Sequence, residues 1–136
     1  MALDVLGKIN VLIVEDQELA QRVTMRVLEG LGVNAIAVAE NGAAAVEMLK
    51  DSDSRIDLVI CDINMPEMSG FEFVRQIRLG AVPEVKNIPI LMLTGEDTDE
   101  NVTKGKYHRI DGFIVKPPTA DSLRGHMMRA LGLAAG

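Results

Sequence analysis

Short apolar runs, each followed at once by a polar residue, are the feature that most constrains this chain. The runs occupy residues 11–14, 58–61, 90–93 and 113–115, and helix-like segments separate them. Apolar runs of this length, with no alternation of polar residues, are typical of parallel strands buried on both faces. The sequence therefore predicts an α/β fold in which helices cover both faces of a parallel sheet.

Five β-then-α units account for nearly the whole chain and predict a single domain over 1–136, with its core at about 9–131 and no output domain. The predicted strands cover residues 9–15, 35–39, 57–62, 88–94 and 112–116. The first helix is expected to have Asp16 at its N-cap and an apolar stripe of Leu19, Val23 and Val27. The segment 97–110 predicts only a short helix, because its apolar stripe is ragged and contains Gly105.

The polar residues that follow the strands form a second pattern. They are Glu15, Asp16, Asp62, Thr94 and Lys116. Ligands of an open parallel sheet bind outside the carboxyl ends of its strands, so these five side chains should converge on one site. Three close carboxylates repel one another and offer the oxygen ligands that Mg²⁺ prefers. A hydroxyl group and an amine complete a set that suits a phosphoryl group.

Asp62 is the candidate nucleophile, because a carboxylate can attack phosphorus and form an acyl phosphate. Each residue of the set also has an ordinary structural interpretation, such as a helix N-cap for Asp16 or a solvated loop charge for Glu15. The joint placement at strand ends favours the functional interpretation. The bond between Lys116 and Pro117 is a candidate cis peptide, because X-Pro bonds have only a weak trans preference.

Composition excludes several classes of function. The formal net charge is −6 and aromatic residues make up 3% of the chain, which argues against a nucleic-acid partner. No apolar stretch approaches the roughly 20 residues of a membrane span, and the N-terminus lacks the pattern of a signal peptide. The single cysteine, Cys61, has no partner for an intrachain disulfide, so we expect a cytoplasmic protein without membrane insertion.

Four motifs together resemble the receiver domain of two-component response regulators, and in particular the chemotaxis type. They are VLIVED at 11–16, DLVICDINMPEMSGFE at 57–72, IPILMLT at 88–94 and GFIVKP at 112–117. The resemblance implies a doubly wound, flavodoxin-like sheet with strand order 2-1-3-4-5. It also implies that Asp62 accepts a phosphoryl group from a phosphohistidine on a sensor histidine kinase or a histidine phosphotransfer protein.

The same resemblance implies roles for individual residues. Glu15, Asp16, Asp62 and the backbone carbonyl of Asn64 would hold Mg²⁺, while Thr94 and Lys116 would hold phosphoryl oxygens. Thr94 and Phe113 would be the switch residues, and Asn64 and Glu96 would tune the lifetime of the phosphoryl group. The set of surface residues implied for kinase docking is Gln17, Ala20, Val23 and Pro118, and a phosphorylation-dependent target would bind 97–110, Phe113 and 122–128.

Two departures from the family pattern bear on these expectations. Residues 104–111 are bulkier and more basic than the alanine- and glycine-rich segment that is typical before the fifth strand. Glu15 stands where many members have aspartate, and its longer side chain could still reach a metal ion.

Other functions remain open from the sequence. A phosphorelay intermediate or phosphate sink would need only phosphotransfer partners. A Mg²⁺-dependent phosphohydrolase with an aspartyl phosphate is disfavoured, because Asn64 stands where such enzymes usually carry an acid. We therefore expect no enzyme activity beyond the chain's own aspartyl phosphorylation and dephosphorylation. A flavin-binding protein is disfavoured by the lack of aromatic residues.

Overall fold

The computed structural model describes residues 3–51, 53–65, 68–95 and 109–133. The predictions for Glu96 and for residues 97–108 lie outside the described residues. Within them, Arg109 has a left-handed backbone with φ of 58°, so the predicted helix does not extend to the end of segment 97–110.

Five parallel strands form one sheet. They are β1 (Asn10–Val14), β2 (Ala35–Ala39), β3 (Leu58–Asp62), β4 (Ile90–Thr94) and β5 (Gly112–Val115). Their order in the sheet is β2-β1-β3-β4-β5, and every neighbouring pair is parallel. The predicted fold class and strand order are confirmed.

Helices connect the strands and cover the sheet. Those that the structure describes are α1 (Leu3–Leu6), α2 (Glu18–Leu31), α3 (Gly42–Lys50), α4 (Gly70–Arg78) and α5 (Ala120–Ala130), with a 3₁₀ turn at Pro83–Val85. The N-cap side chains of Asn41, Ser69 and Thr119 each accept a hydrogen bond from a backbone amide three residues later. None of the described helices has both the length and the apolar character needed to cross a bilayer.

Two hydrophobic clusters lie on opposite faces of the sheet. Successive strand residues alternate between them, so Leu12 and Val14 point into one cluster while Val11 and Ile13 point into the other. Helices α3 and α4 cover the first cluster, and α1, α2 and α5 cover the second. Leu6 is fully buried in the second cluster, although it precedes the predicted core.

The N-cap predicted for α2 was wrong, and only part of its predicted apolar stripe packs against the sheet. Gln17, not Asp16, is the N-cap, and it makes no side-chain capping bond. Leu19 and Val23 are exposed by 75% and 38%, whereas Thr24 and Leu28 are buried. The buried positions come one residue after Val23 and Val27, which corresponds to a rotation of about 100° around the helix axis. Leu19 and Val23 therefore face away from the sheet, whereas Val27 is half-buried and packs against the second cluster.

A buried arginine joins α4 to the chain that enters β5. Arg78 donates to the carbonyl oxygens of Lys86 at 2.9 Å and Arg109 at 3.0 Å, and its Nη2 lies 3.4 Å from Asp111 Oδ2. The same Asp111 oxygen accepts the amide of Ile90 at 2.8 Å. Burial lowers the pKa of Arg78, and the Asp111 carboxylate opposes that shift. The guanidinium group thus ties three backbone segments together.

We expect Arg78→Met to lower the free energy of unfolding by about 3 kcal/mol, because it leaves a carboxylate and two carbonyls without their buried partner. Urea unfolding measures the change. The matched control is Arg75→Met, since Arg75 is exposed on the same helix. Equal losses for the two variants would contradict a structural role for the Arg78 contacts.

Candidate functional site

Three carboxylates meet at the carboxyl end of the sheet. Glu15 and Asp16 directly follow β1, and Asp62 is the last residue of β3. Because β1 and β3 are neighbours, with Val14 paired to Cys61, their ends lie side by side. One carboxylate oxygen from each of the three residues falls within 4.8 Å of the others. The structure therefore brings the predicted acidic residues together.

Lys116 reaches into this acidic cluster from the end of β5. Its Nζ lies 2.9 Å from Asp62 Oδ1 and 3.3 Å from Glu15 Oε1. Burial acts to lower the pKa of Lys116, but the hydrogen bond and charge of Asp62, together with the charge of Glu15, raise it above its ordinary value. The ammonium group therefore stays charged and partly neutralises two of the three carboxylates.

Glu15 is the most deeply buried carboxylate of the cluster, since its side chain is only 1% exposed. Burial raises the pKa of Glu15 to about 7, and the negative charge of Asp62 adds to the effect. The backbone amide of Gln17, which donates to Glu15 Oε2 at 3.2 Å, and the charge of Lys116 act in the opposite direction. The fold thus holds a carboxyl group where its ionised form is poorly solvated.

Asp16 provides the test of whether a cation fits here. Its Oδ1 atom is buried and has no hydrogen-bond partner among the residues that the structure describes. A buried carboxylate oxygen without a partner is costly, and a bound cation supplies the missing interaction. Within the described part of the chain, the donor set consists of oxygens, and three carboxylates exceed the one ammonium group. The residues present therefore fit a hard divalent cation such as Mg²⁺.

The other predicted site residues lie around the cluster. Thr94 is the buried last residue of β4, and its carbonyl accepts the amide of Lys116 at 2.8 Å. The amide of Asn64 lies 3.4 Å from Asp62 Oδ1, whereas metal binding by the Asn64 carbonyl stays a prediction. Phe113 lies on β5 with its ring centroid 6.5 Å from that of Phe71. The peptide bond between Lys116 and Pro117 is cis.

Two residues that shape the site were not predicted from the sequence. The side-chain amide of Gln21 donates to the backbone carbonyl of Glu15 at 2.6 Å. Gly70 opens α4 directly against the phosphoacceptor candidate, because an added Cβ would collide with the Asp62 carbonyl and lie 2.6 Å from Met92 Cε. The glycine after the N-cap Ser69 was a visible signal for close packing, whereas no sequence pattern marks Gln21.

An apolar cleft of about 340 Å³ adjoins the acidic cluster. Its lining includes Glu15 and Lys116 from the cluster, the exposed or half-buried Gln17, Leu19, Ala20, Val23 and Pro117, and the buried Pro118. The exposed stripe of α2 therefore forms one wall, and the chain after β5 forms the other. All four residues named for kinase docking line this cleft.

Comparisons with known proteins show which family the chain is similar to. A family model described as the response regulator receiver domain matches residues 11–127. Chemotaxis protein CheY-3 of Vibrio cholerae is 37% identical over 115 residues, which is 85% of this chain and 85% of that protein. The chemotaxis protein CheY homolog of Campylobacter jejuni is 31% identical over 127 residues and covers 93% of this chain and 95% of its own.

Solved structures show the same similarity. The structure of the Vibrio cholerae chemotaxis protein CheY4 aligns with a TM-score of 0.80 and 34% sequence identity. The alignment covers 91% of this chain and 99% of that one.

We expect the pKa of Glu15 to be visible in the pH dependence of stability in a metal-free buffer. The folded state holds the proton of Glu15 up to about pH 7, against an ordinary pKa of 4.5. The associated stabilisation is therefore complete below pH 4.5 and is lost as the pH rises through about 7. The loss is at most about 3 kcal/mol.

Urea unfolding with a chelator at several pH values from about 5 to 8 measures this decline. In Glu15→Gln the decline should be smaller, because the variant has no proton to lose at that position. Parallel pH profiles for the two proteins would contradict the assignment to Glu15.

Proposed function

This chain belongs to the response regulator receiver domain family, and we propose that it is a switch that accepts a phosphoryl group on Asp62. The observation that carries the proposal is the placement of Asp62 at the end of β3, between two further carboxylates and the ammonium group of Lys116. Receiver domains act as signalling switches that respond to phosphorylation, and their usual donors are histidine kinases.

The chemistry follows from the residues around Asp62. A carboxylate oxygen of Asp62 would form a bond to phosphorus while the bond from phosphorus to the donor imidazole breaks, and the imidazole would take up a proton. The transferred group carries negative charge into a site that already holds three carboxylates. Mg²⁺, when bound by Glu15, Asp16, Asp62 and the Asn64 carbonyl, supplies positive charge to the phosphoryl oxygens.

Lys116 and Thr94 would act on the phosphoryl group directly. The Lys116 ammonium pairs with Asp62 Oδ1 at 2.9 Å, so it lies beside the carboxylate that would accept the phosphoryl group. Its contact with a phosphoryl oxygen would replace part of this ion pair. Thr94 ends the strand between β3 and β5 and has a hydroxyl donor for a second oxygen. These residues orient the group and balance its charge, which is most of what phosphoryl transfer requires.

The apolar cleft beside the cluster is the proposed contact for the phosphohistidine donor. Leu19 is a large apolar side chain exposed by 75%, and Val23 follows it by one helical turn. Burial of these side chains in a protein interface would stabilise a complex in which the donor histidine lies close to Asp62. The chain after β5, with Pro117 and Pro118, would complete the contact.

The proposed readout surface includes Phe113 and the α5 residues 122–128. Phe113 has no hydroxyl group, so its position responds only to packing, here against Phe71. Helix α5 lies close to β5, because an added Cβ at Gly112 would lie 2.9 Å from His126 Cδ2. A movement of Thr94 toward the phosphoryl group would change the packing beside Phe113, and a target protein would bind the altered face.

We expect intact-mass analysis after incubation with Mg²⁺ and acetyl phosphate to show the addition of one phosphoryl group. The addition should be lost in Asp62→Asn, because the amide is a poor nucleophile, and in the presence of a chelator. Asp57→Asn is the matched control, since Asp57 lies just before the opposite end of the same strand. Undiminished labelling of Asp62→Asn would contradict the proposal.

We expect Leu19→Gln to slow phosphorylation by a protein donor about tenfold without changing phosphorylation by acetyl phosphate. The small donor makes no use of the cleft, whereas a protein interface loses an apolar anchor. The measurement is transfer from ³²P-labelled histidine kinases and phosphotransfer proteins of the organism that encodes this chain.

Leu79→Gln is the control for this experiment. Leu79 is exposed by 72%, close to the 75% of Leu19, but it lies at the end of α4 and does not line the cleft. Equal rates for wild type and Leu19→Gln with every protein donor would rule out the cleft as the donor contact.

A further inference from the structure

The side chain of Gln21 holds the backbone of the acidic cluster in place. Its Nε2 atom donates to the carbonyl oxygen of Glu15 over 2.6 Å, although the two residues are separated by more than a helical turn of sequence. That carbonyl belongs to the peptide unit whose amide is the amide of Asp16. Because a peptide unit is planar, a bond to its oxygen also fixes the direction in which Asp16 leaves the plane.

The backbone is held on the other sides as well. The amide of Glu15 donates to the carbonyl oxygen of Ala39 at 3.0 Å. This bond continues the hydrogen-bond ladder between β1 and β2. The amide of Gln17 donates to the Glu15 carboxylate at 3.2 Å. Asp16 therefore lies between Glu15 and Gln17, which are both held by hydrogen bonds. Of the groups that make these bonds, the Gln21 amide is the one that belongs to a side chain outside the loop.

Helix α2 gives Gln21 a rigid support. The amide of Gln21 donates to the Gln17 carbonyl at 2.9 Å, and the helix packs on the sheet through the buried Thr24 and Leu28. The N-cap Gln17 makes no side-chain capping bond. The start of α2 is therefore linked to the end of β1 by the Gln21 side chain and the Gln17 amide, and not by a side-chain cap.

We propose that Gln21 is a positioning residue for the cation site, which it serves by fixing the peptide between Glu15 and Asp16; this rests on the proposed function. The carboxylates of Glu15, Asp16 and Asp62 repel one another, and without a cation the loop gains by letting them separate. Gln21 opposes that separation, so the carboxylate oxygens stay within 4.8 Å of one another before a cation arrives. Preorganisation of this kind increases affinity, because binding then needs less ordering of the ligands.

The test is calorimetric titration of the folded, full-length chain with MgCl₂ at constant ionic strength. Gln21→Met keeps the length and helix propensity of the side chain but removes the donor. Loss of a residue that supports metal ligands typically lowers metal affinity by 10–100-fold, and we expect a weakening of about tenfold. Gln76→Met is the control, because it makes the same change near the end of α4, outside the site.

A thermal unfolding scan in chelator accompanies each titration. A merely structural role would lower the unfolding temperature of Gln21→Met and leave its Mg²⁺ affinity equal to that of wild type. Equal affinities therefore overturn the role of Gln21 while the proposed function stands. If wild type itself binds no Mg²⁺, the cation site of the proposed function fails, and the positioning role fails with it.

Discussion

The convergence of three carboxylates with one ammonium group is the constraint on which the rest of the site depends. Lys116 approaches Asp62 and Glu15 but leaves the cluster with an excess of negative charge. The raised pKa of Glu15 and the unpartnered Asp16 oxygen are two consequences of this excess. A cation that binds only the folded state would relieve both, so binding and folding stability are thermodynamically linked.

The sheet supplies the rigidity that such a cluster needs. Strand residues point alternately into two apolar clusters, which leaves no place for a charged side chain inside β1 or β3. Charged residues are therefore confined to the strand ends, where parallel neighbours bring them together. At the opposite end of the sheet, the buried Arg78 has partners for its charge. Its guanidinium group donates to two carbonyl oxygens and lies close to a carboxylate. One end has paired charges that stabilise the fold, and the other has an excess of negative charge that the proposed cation would balance.

Sequence reasoning predicted the strands and the polar residues after them, because burial on both faces of a sheet leaves a simple pattern. It failed at the start of α2, where the spacing of Leu19, Val23 and Val27 does not reveal that only Val27 of the three packs against the core. It also missed Leu6, Arg78 and Gln21, whose contacts depend on tertiary structure and carry no periodic signal. The bond from Gln21 to a backbone carbonyl is independent of the identity of residue 15, so no pairing of side chains could have indicated it.

The buried and the exposed residues of α2 have different proposed roles. Its buried residues, Thr24 and Leu28, attach it to the sheet, while Gln21 holds the carbonyl of Glu15. Its exposed residues, Leu19 and Val23, line the cleft where a donor would bind. One rigid element thus contacts both the proposed cation site and the proposed docking surface. If cation binding changes donor affinity through α2, donor binding must change cation affinity by the same factor, because coupling between two binding sites is reciprocal. Leu19 and Val23 turned toward the sheet would have added to the core, but α2 would then have lost this link between the docking surface and the acidic cluster.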